Sequence, residues 1–280
     1  MTYLAILPVV ILLEGAVAAS PNPDVLLPRA RALALQGRVE EARKLYQQTF
    51  DEYNRRDDLA GQATIHVHLS DLAMKESKLP EAIELRKEAY RRFRNGGKGY
   101  SQAQTLREIA LLEITRGDRA RSTEMLEAAA PMFEYLEVPE KEYLTRALLL
   151  AILVGDTNID IRRIVFQSRK LLTAKDPAPQ LPLQAAANDC LGYVSMYLGD
   201  HQAALSHYEK ALQMLGDGGD LPLLIESVQT NRAQALMYLG DFQEAARVYE
   251  ELARKRKARG DERKVLSMIN ASVACSTWAT

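Results

Sequence analysis

Imidazole and thiolate are the side chains that most readily bind metals or act as nucleophiles near neutral pH, and this chain has four histidines and two cysteines. His66 and His68 flank Val67, and Asp71 follows, a set that could hold a divalent cation. On a helix, however, residues two apart point about 200° away from each other, so the pair cannot chelate alone. It reads as helix surface or groove wall. His201 and His207 are isolated on one helical stretch and read as surface. No Gly-rich phosphate loop, Gly-x-Ser-x-Gly elbow or His-Glu-x-x-His helix occurs in the sequence. The densest basic run, Lys255-Arg256-Lys257-Ala258-Arg259, ends a helical pattern, where cations complement the helix dipole. That run and a second from Arg86 to Arg94 read as solvated faces, although the first could dock an acidic surface. These residues point to no catalysis, no cofactor and no metal.

The elements that must position such side chains are helices. Hydrophobic residues make up 47% and charged residues 26%, a globular balance. Good helix formers dominate, and 15 glycines and 11 prolines among 280 residues are too few for a loop-rich fold. A net charge of −1 gives no global attraction for nucleic acid or an anionic membrane.

The stretch Tyr197-Leu198-Gly199-Asp200-His201-Gln202-Ala203-Ala204 returns as Tyr238-Leu239-Gly240-Asp241-Phe242-Gln243-Glu244-Ala245. Turns at Gly37, Ser77, Gly117, Gly155, Gly199 and Gly240 follow one another at steps of 40, 40, 38, 44 and 41 residues. A fixed period of this size marks stacked repeats. Around Gly199, Leu191, Val194 and Leu198 recur at helical spacing upstream, and Ala204, Tyr208, Ala211 and Leu215 do so downstream. A glycine at the end of a helix can enter the left-handed region without a Cβ penalty, and the following aspartate can cap the next helix. Each joint therefore predicts an antiparallel helix pair.

Gly192, Gly199, Ala204, Tyr208 and Ala211 form a small–Gly–Ala–aromatic–Ala ladder. It resembles that of the tetratricopeptide repeat, in its longer-period variant. Ala233, Gly240, Ala245 and Tyr249 fill the same slots in the sixth unit, and Ala30, Gly37, Ala42 and Tyr46 do so in the first. The second unit places Arg86 in the aromatic slot, and the fourth, after Gly155, lacks the small residue. The units run near 24–56, 57–97, 98–137, 138–177, 179–218 and 220–259, with a terminal helix at 261–278 and Ala274 in its small slot. The fourth unit is either a kink or a diverged repeat with a longer loop. The resemblance implies an all-α, right-handed superhelical solenoid of stacked antiparallel helix pairs.

It also implies a groove lined by the first helix of each pair, able to hold a peptide or protein segment. Carried onto this sequence, the groove slots include Val67, His68, Asp71 and Met74, then Arg107, Glu108, Leu111 and Ile114, then Thr145, Arg146 and Leu149. In the fifth unit they are Asp189, Tyr193, Met196 and Tyr197, and in the sixth Thr230, Asn231, Gln234, Met237 and Tyr238. The candidates singled out for binding are Arg107 and Arg146 for carboxylates, Asn231 and Gln234 for peptide backbone, and Tyr193, Met196, Tyr197 and Tyr238 for adaptable contacts. The Lys-and-Asn set of chaperone-type carboxylate clamps is not reproduced.

Residues 1–19 read as a signal peptide, with an apolar core from Leu4 to Leu13 and small-x-small cleavage patterns ending at Ala18 and Ala19. About ten apolar residues are too few to span a bilayer, so no stable membrane insertion follows cleavage. The expected compartment is periplasmic or extracellular, or cytoplasmic if the leader is not a signal. Cys190 and Cys275 lie two repeats apart, beyond disulfide reach, and read as small buried helix residues. The expected function is a non-catalytic scaffold for a protein or peptide partner. The alternative is the sensing half of a longer protein with a downstream effector, such as a CHAT-like protease domain.

Overall fold

The computed structural model of the chain describes residues 22–156, 158–173, 181–216 and 221–278. The expected leader, Thr157 and most of the joints at 174–180 and 217–220 lie outside the described residues. The described residues form thirteen helices: α1 Pro23–Leu35, α2 Val39–Arg55, α3 Leu59–Lys75, α4 Leu79–Asn95, α5 Gly99–Arg116, α6 Arg119–Tyr135, α7 Pro139–Val154, α8 Ile161–Leu172, α9 Leu181–Tyr197, α10 His201–Leu215, α11 Pro222–Tyr238, α12 Phe242–Ala258 and α13 Glu262–Trp278. The chain divides into two compact units, Met1–Lys98 and Gly99–Thr280. Each is an all-α stack in which every helix packs on the next, the expected fold class.

The joints explain why the pairs are antiparallel. Gly199 lies at φ +79 and Gly240 at φ +84, the left-handed conformation that reverses the chain. The Gly199 N–H donates to Met196 O at 3.1 Å, and the Asp200 N–H donates to Ser195 O at 2.9 Å. These two bonds make a Schellman motif. Asp200 then caps α10, its Oδ1 accepting from the Ala203 N–H at 3.0 Å, and Asp241 does the same for Glu244 at 3.2 Å. One Gly-Asp pair thus satisfies orphan groups at two helix ends, two carbonyls of α9 and one N–H of α10. Asp57, Ser77 and Glu137 take the left-handed position at other joints without being glycine.

Gly155 departs from the expected joint. Its φ is −82, and the chain runs on to Asp160 before α8 starts, capped by Asp160 Oδ1 accepting from the Arg163 N–H at 3.1 Å. Gly155 itself is therefore not the left-handed residue found at Gly199 and Gly240. With 12 residues, α8 is also the shortest helix.

In the first unit the core joins Ala30, Ala42, Tyr46, Ile65 and Leu72. In the second, the fourth repeat contributes the largest cluster, including Leu149, Leu150, Ile152, Leu153 and Ile164. Small residues admit large rings at the closest approaches: a Cβ at Gly192 would collide with the Tyr208 ring, and one at Gly61 with Tyr53. First helices also meet directly, α7 with α9 and α9 with α11. The last helix, α13, buries Met268, Ser272 and Cys275 and leaves Leu266, Ile269 and Val273 exposed. Among the described residues, no helix is long and apolar enough to cross a membrane.

Candidate functional site

Several of the predicted groove side chains lie on α9 and α11, first helices of the second unit. On α9, Asp189, Tyr193 and Tyr197 recur at i, i+4 and i+8 and share one stripe. On α11, Asn231, Gln234 and Tyr238 recur at i, i+3 and i+7. The stripes are joined where Asn231 Nδ2 donates to Asp189 Oδ1 at 2.9 Å. At the far end Tyr197 is 62% exposed, Tyr238 61% and Trp278 on α13 63%, so three successive first helices end in an exposed aromatic ring.

The second helices hold the last two rings in place. His201, the first residue of α10, stacks on Tyr238 with ring centres 4.6 Å apart. Phe242, the first residue of α12, meets Trp278 edge to face at 5.7 Å. The same joint thus supplies a turn, a helix cap and a ring that steadies the next aromatic. The small residue Ala271 on α13 leaves a depression of about 380 Å³, lined also by Gln234, Met237, Tyr238, Tyr249 and Trp278.

Electrostatically this face is sparse. Asp189 is the only charged residue of α9. Burial raises its pKa above the usual carboxylate range, and the Asn231 amide offsets that in part. Burial also pushes the neighbouring Cys190 thiol up to about 12, so it is inert as a nucleophile. Both Cys190 and Cys275 are free thiols; Cys275 is buried and Cys190 half-buried. On α11, Glu226 holds Arg256 at 3.3 Å and Arg259 at 2.5 Å, which commits half of the basic run 255–259 to an internal pair. Arg232 is shared between Glu209 and Glu244.

The other predicted groove residues fall differently. Arg146 is 3% exposed, and its guanidinium meets Glu142 Oε1, Gln167 Oε1 and Glu134 Oε2, each at 2.7 Å. It is placed inside the helix layer. Arg107 is half-buried, and its Nε is enclosed without a hydrogen-bond partner. Tyr193 is half-buried, and Met196 packs partly into the core between α9 and α11. Tyr197, Gln234 and Tyr238 are exposed.

In the first unit, Asp71 is taken by Arg86 at 2.5 Å, so the arginine in the aromatic slot of the second repeat spans to the neighbouring helix. His68 stacks on Tyr46 at 5.4 Å, and His66 lies edge-on to Phe50 at 5.0 Å. Burial holds the pKa of both imidazoles below the usual histidine value, and for His66 the Arg92 cation adds to it. Among the described residues, no three His, Cys, Asp or Glu side chains converge as a metal site would require. A depression of about 370 Å³ lies between Arg31, Tyr46, His68, Asp71 and Lys75.

Sequence reasoning did not assign Trp278, His201 and Phe242 to this face. A signal was present: Trp278 lies 40 residues after Tyr238, one repeat on, as Tyr238 lies 41 after Tyr197.

Comparison with known proteins agrees with this architecture. A family profile described as tetratricopeptide repeat matches residues 12–57 and 230–264. No curated protein matches the sequence. Among solved structures, the chain is similar to the apo form of the quorum sensor NprR from B. thuringiensis, with TM-score 0.61 and 13% identity over 88% of this chain and 68% of that one. It is similar to BtubC from P. vanneervenii, with TM-score 0.57 and 20% identity over 86% and 93% of the two chains. It is also similar to a Signal Transduction ATPase with Numerous Domains that has a tetratricopeptide repeat sensor, from Pyrococcus horikoshii. There the TM-score is 0.54 and the identity 12%, over 91% of this chain and 38% of that one. At these identities the likeness is one of fold. The profile covers parts of the array, and together with the Gly-Asp joints and stacked helix pairs the likeness gives this chain a tetratricopeptide-like fold.

Proposed function

We propose that the chain is a non-catalytic, exported scaffold that holds a peptide or protein segment on the first-helix face of its fifth and sixth repeats. The observation that carries this reading is the pair of joined stripes, Asp189–Tyr193–Tyr197 and Asn231–Gln234–Tyr238, ending in exposed rings beside an open depression. Exposed aromatics on rigid helices, beside amides that offer both donor and acceptor, suit an extended backbone with adaptable side chains. NprR is a quorum sensor, and the archaeal ATPase uses its tetratricopeptide repeats as a sensor. A sensing or capturing role for this chain is consistent with both. The sparse charge of the face and the inert thiol beside it supply no catalytic pair.

The test is selection of random decapeptides on the immobilised full chain. Trp278 is the only tryptophan, so its emission reports occupancy directly. Selected peptides are expected to change that emission and to bind Tyr238→Ala and Asn231→Ala at least ten-fold more weakly. Equal binding to both variants would move the site off this face. For export, intact mass of the chain produced in a secreting host is expected to show loss of residues 1–18 or 1–19. An unprocessed, retained chain would refute that part.

A further inference from the structure

We infer that the segment held on this face carries a lysine or arginine that pairs with Asp189, three or four residues from a bulky apolar side chain seated between Tyr238 and Trp278. This rests on the scaffold reading above and names the chemistry of its ligand.

The cation follows from what surrounds Asp189. Its Oδ1 accepts one neutral hydrogen bond, from Asn231, and no described lysine, arginine or histidine pairs with it. The other charged groups of α9 and α11 are committed: Glu226 to Arg256 and Arg259, and Arg232 to Glu209 and Glu244. Asp189 is therefore the one charge on the joined stripes without an opposite partner among the described residues. A neutral segment laid across it would remove its remaining water and leave an unpaired carboxylate buried, which is strongly unfavourable. An acidic segment would add repulsion. A cationic side chain satisfies the free carboxylate oxygen, and Tyr193, one turn along the same stripe, offers a ring for cation–π contact.

The apolar anchor follows from the depression. Its walls are Met237, Tyr238, Tyr249, Ala271 and Trp278, with Gln234 as the polar group at its edge. The spacing follows from helix geometry. Neighbouring first helices lie roughly 8–10 Å apart, and Asn231 to the Gln234–Tyr238 turn is about 4–10 Å along the axis. The two subsites are then on the order of 12 Å apart, which extended chain covers in three or four residues at about 3.3 Å each.

The decapeptide selection tests this when repeated on Asp189→Asn and Asp189→Glu. Asparagine keeps the shape and the acceptor for Asn231 but removes the charge; glutamate keeps the charge. Far-UV circular dichroism confirms that each variant is folded. Peptides from the parent chain are expected to share a lysine or arginine three or four residues from Trp, Phe, Leu or Met. A synthetic peptide of that sequence is expected to bind Asp189→Asn at least ten-fold more weakly. Changing its basic residue to glutamine should cost the same factor on the parent chain and nothing further on Asp189→Asn. Basic selection should persist with Asp189→Glu. Selected peptides without a basic position, or basic selection that survives Asp189→Asn, would overturn the inference while leaving the scaffold reading intact. Failure to select any peptide, or binding indifferent to Tyr238→Ala, would overturn both.

Discussion

Arg146 on α7 and Asp189 on α9 are both charged residues on neighbouring first helices, at positions that the sequence resemblance assigns to a groove. They have opposite surroundings. Arg146 meets three acceptors, two of them carboxylates, and is nearly inaccessible. Asp189 meets one neutral amide and stays half-buried. The difference shows that two positions expected in the groove can end with their charge enclosed or left open, according to what the next helices bring. The short α8 brings Gln167 to Arg146, where Glu134 from α6 also reaches, and the position is enclosed. Between α9 and α11 no cation among the described residues pairs with Asp189, and the position stays open.

The largest effect should come from breaking the closed slot. Arg146→Ala leaves Glu142, itself buried, without its partner, and should cost about 3–5 kcal/mol of stability by urea unfolding. Replacing Arg146 and Glu142 together by Met and Leu should recover most of that loss, because the desolvation cost of both charges disappears. If the single and double variants were equally unstable, the pair would be holding more than its own charges. Lys170 hydrogen-bonds to Glu134 and, with Arg146 beside it, holds that carboxylate below its usual pKa. The network is therefore expected to weaken as pH falls through that lowered value.

Next come the close approaches that set the spacing of the open slot. Gly192→Ala places a methyl in the Tyr208 ring and should destabilise by about 1–3 kcal/mol, although alanine is the better helix former. Gly199→Ala meets no neighbour but forces alanine to φ +79, and should cost about 1 kcal/mol. Thermal unfolding should rank the two in that order. A reversal would mean that the Tyr208 ring moves aside cheaply.

These examples mark how far the sequence could be read. The Gly-Asp joints were legible because a left-handed glycine and a capping aspartate are local devices, and Gly199 and Gly240 behave as their neighbours dictate. Gly155 misled because the same dipeptide is followed by a longer connection to α8, and loop length is not a matter of two residues. The exposure of Tyr197, Gln234 and Tyr238 on the first helices was legible by register. The enclosure of Arg146 was not, because it depends on Gln167 and Glu134, 21 and 12 residues away on other helices. Trp278 was missed as the next exposed ring in the series although its spacing announced it. Its partner Phe242 becomes evident only once α12 and α13 are packed.

The smallest effect should be a gain. Asp189 has its carboxyl pKa raised by burial in the folded chain, so folding favours the protonated form. For an acid shifted upward, stability is fullest below the unfolded carboxylate pKa and is lost as pH rises through the folded value. Asp189→Asn removes that loss and keeps an acceptor for the Asn231 amide. It should stabilise the chain at neutral pH by no more than about 1 kcal/mol, since the group is only partly enclosed. The gain should vanish on acidification below the usual carboxylate range, as unfolding curves across pH would show. Arg146→Ala should lose stability under the same neutral conditions, so the two slots would differ in sign. A charge that costs the fold stability is what the proposed cation contact would compensate. If Asp189→Asn proved destabilising at neutral pH, Asp189 would belong with Arg146 as a structural charge, and the open face would have to find its ligand through Tyr197, Tyr238 and Trp278 alone.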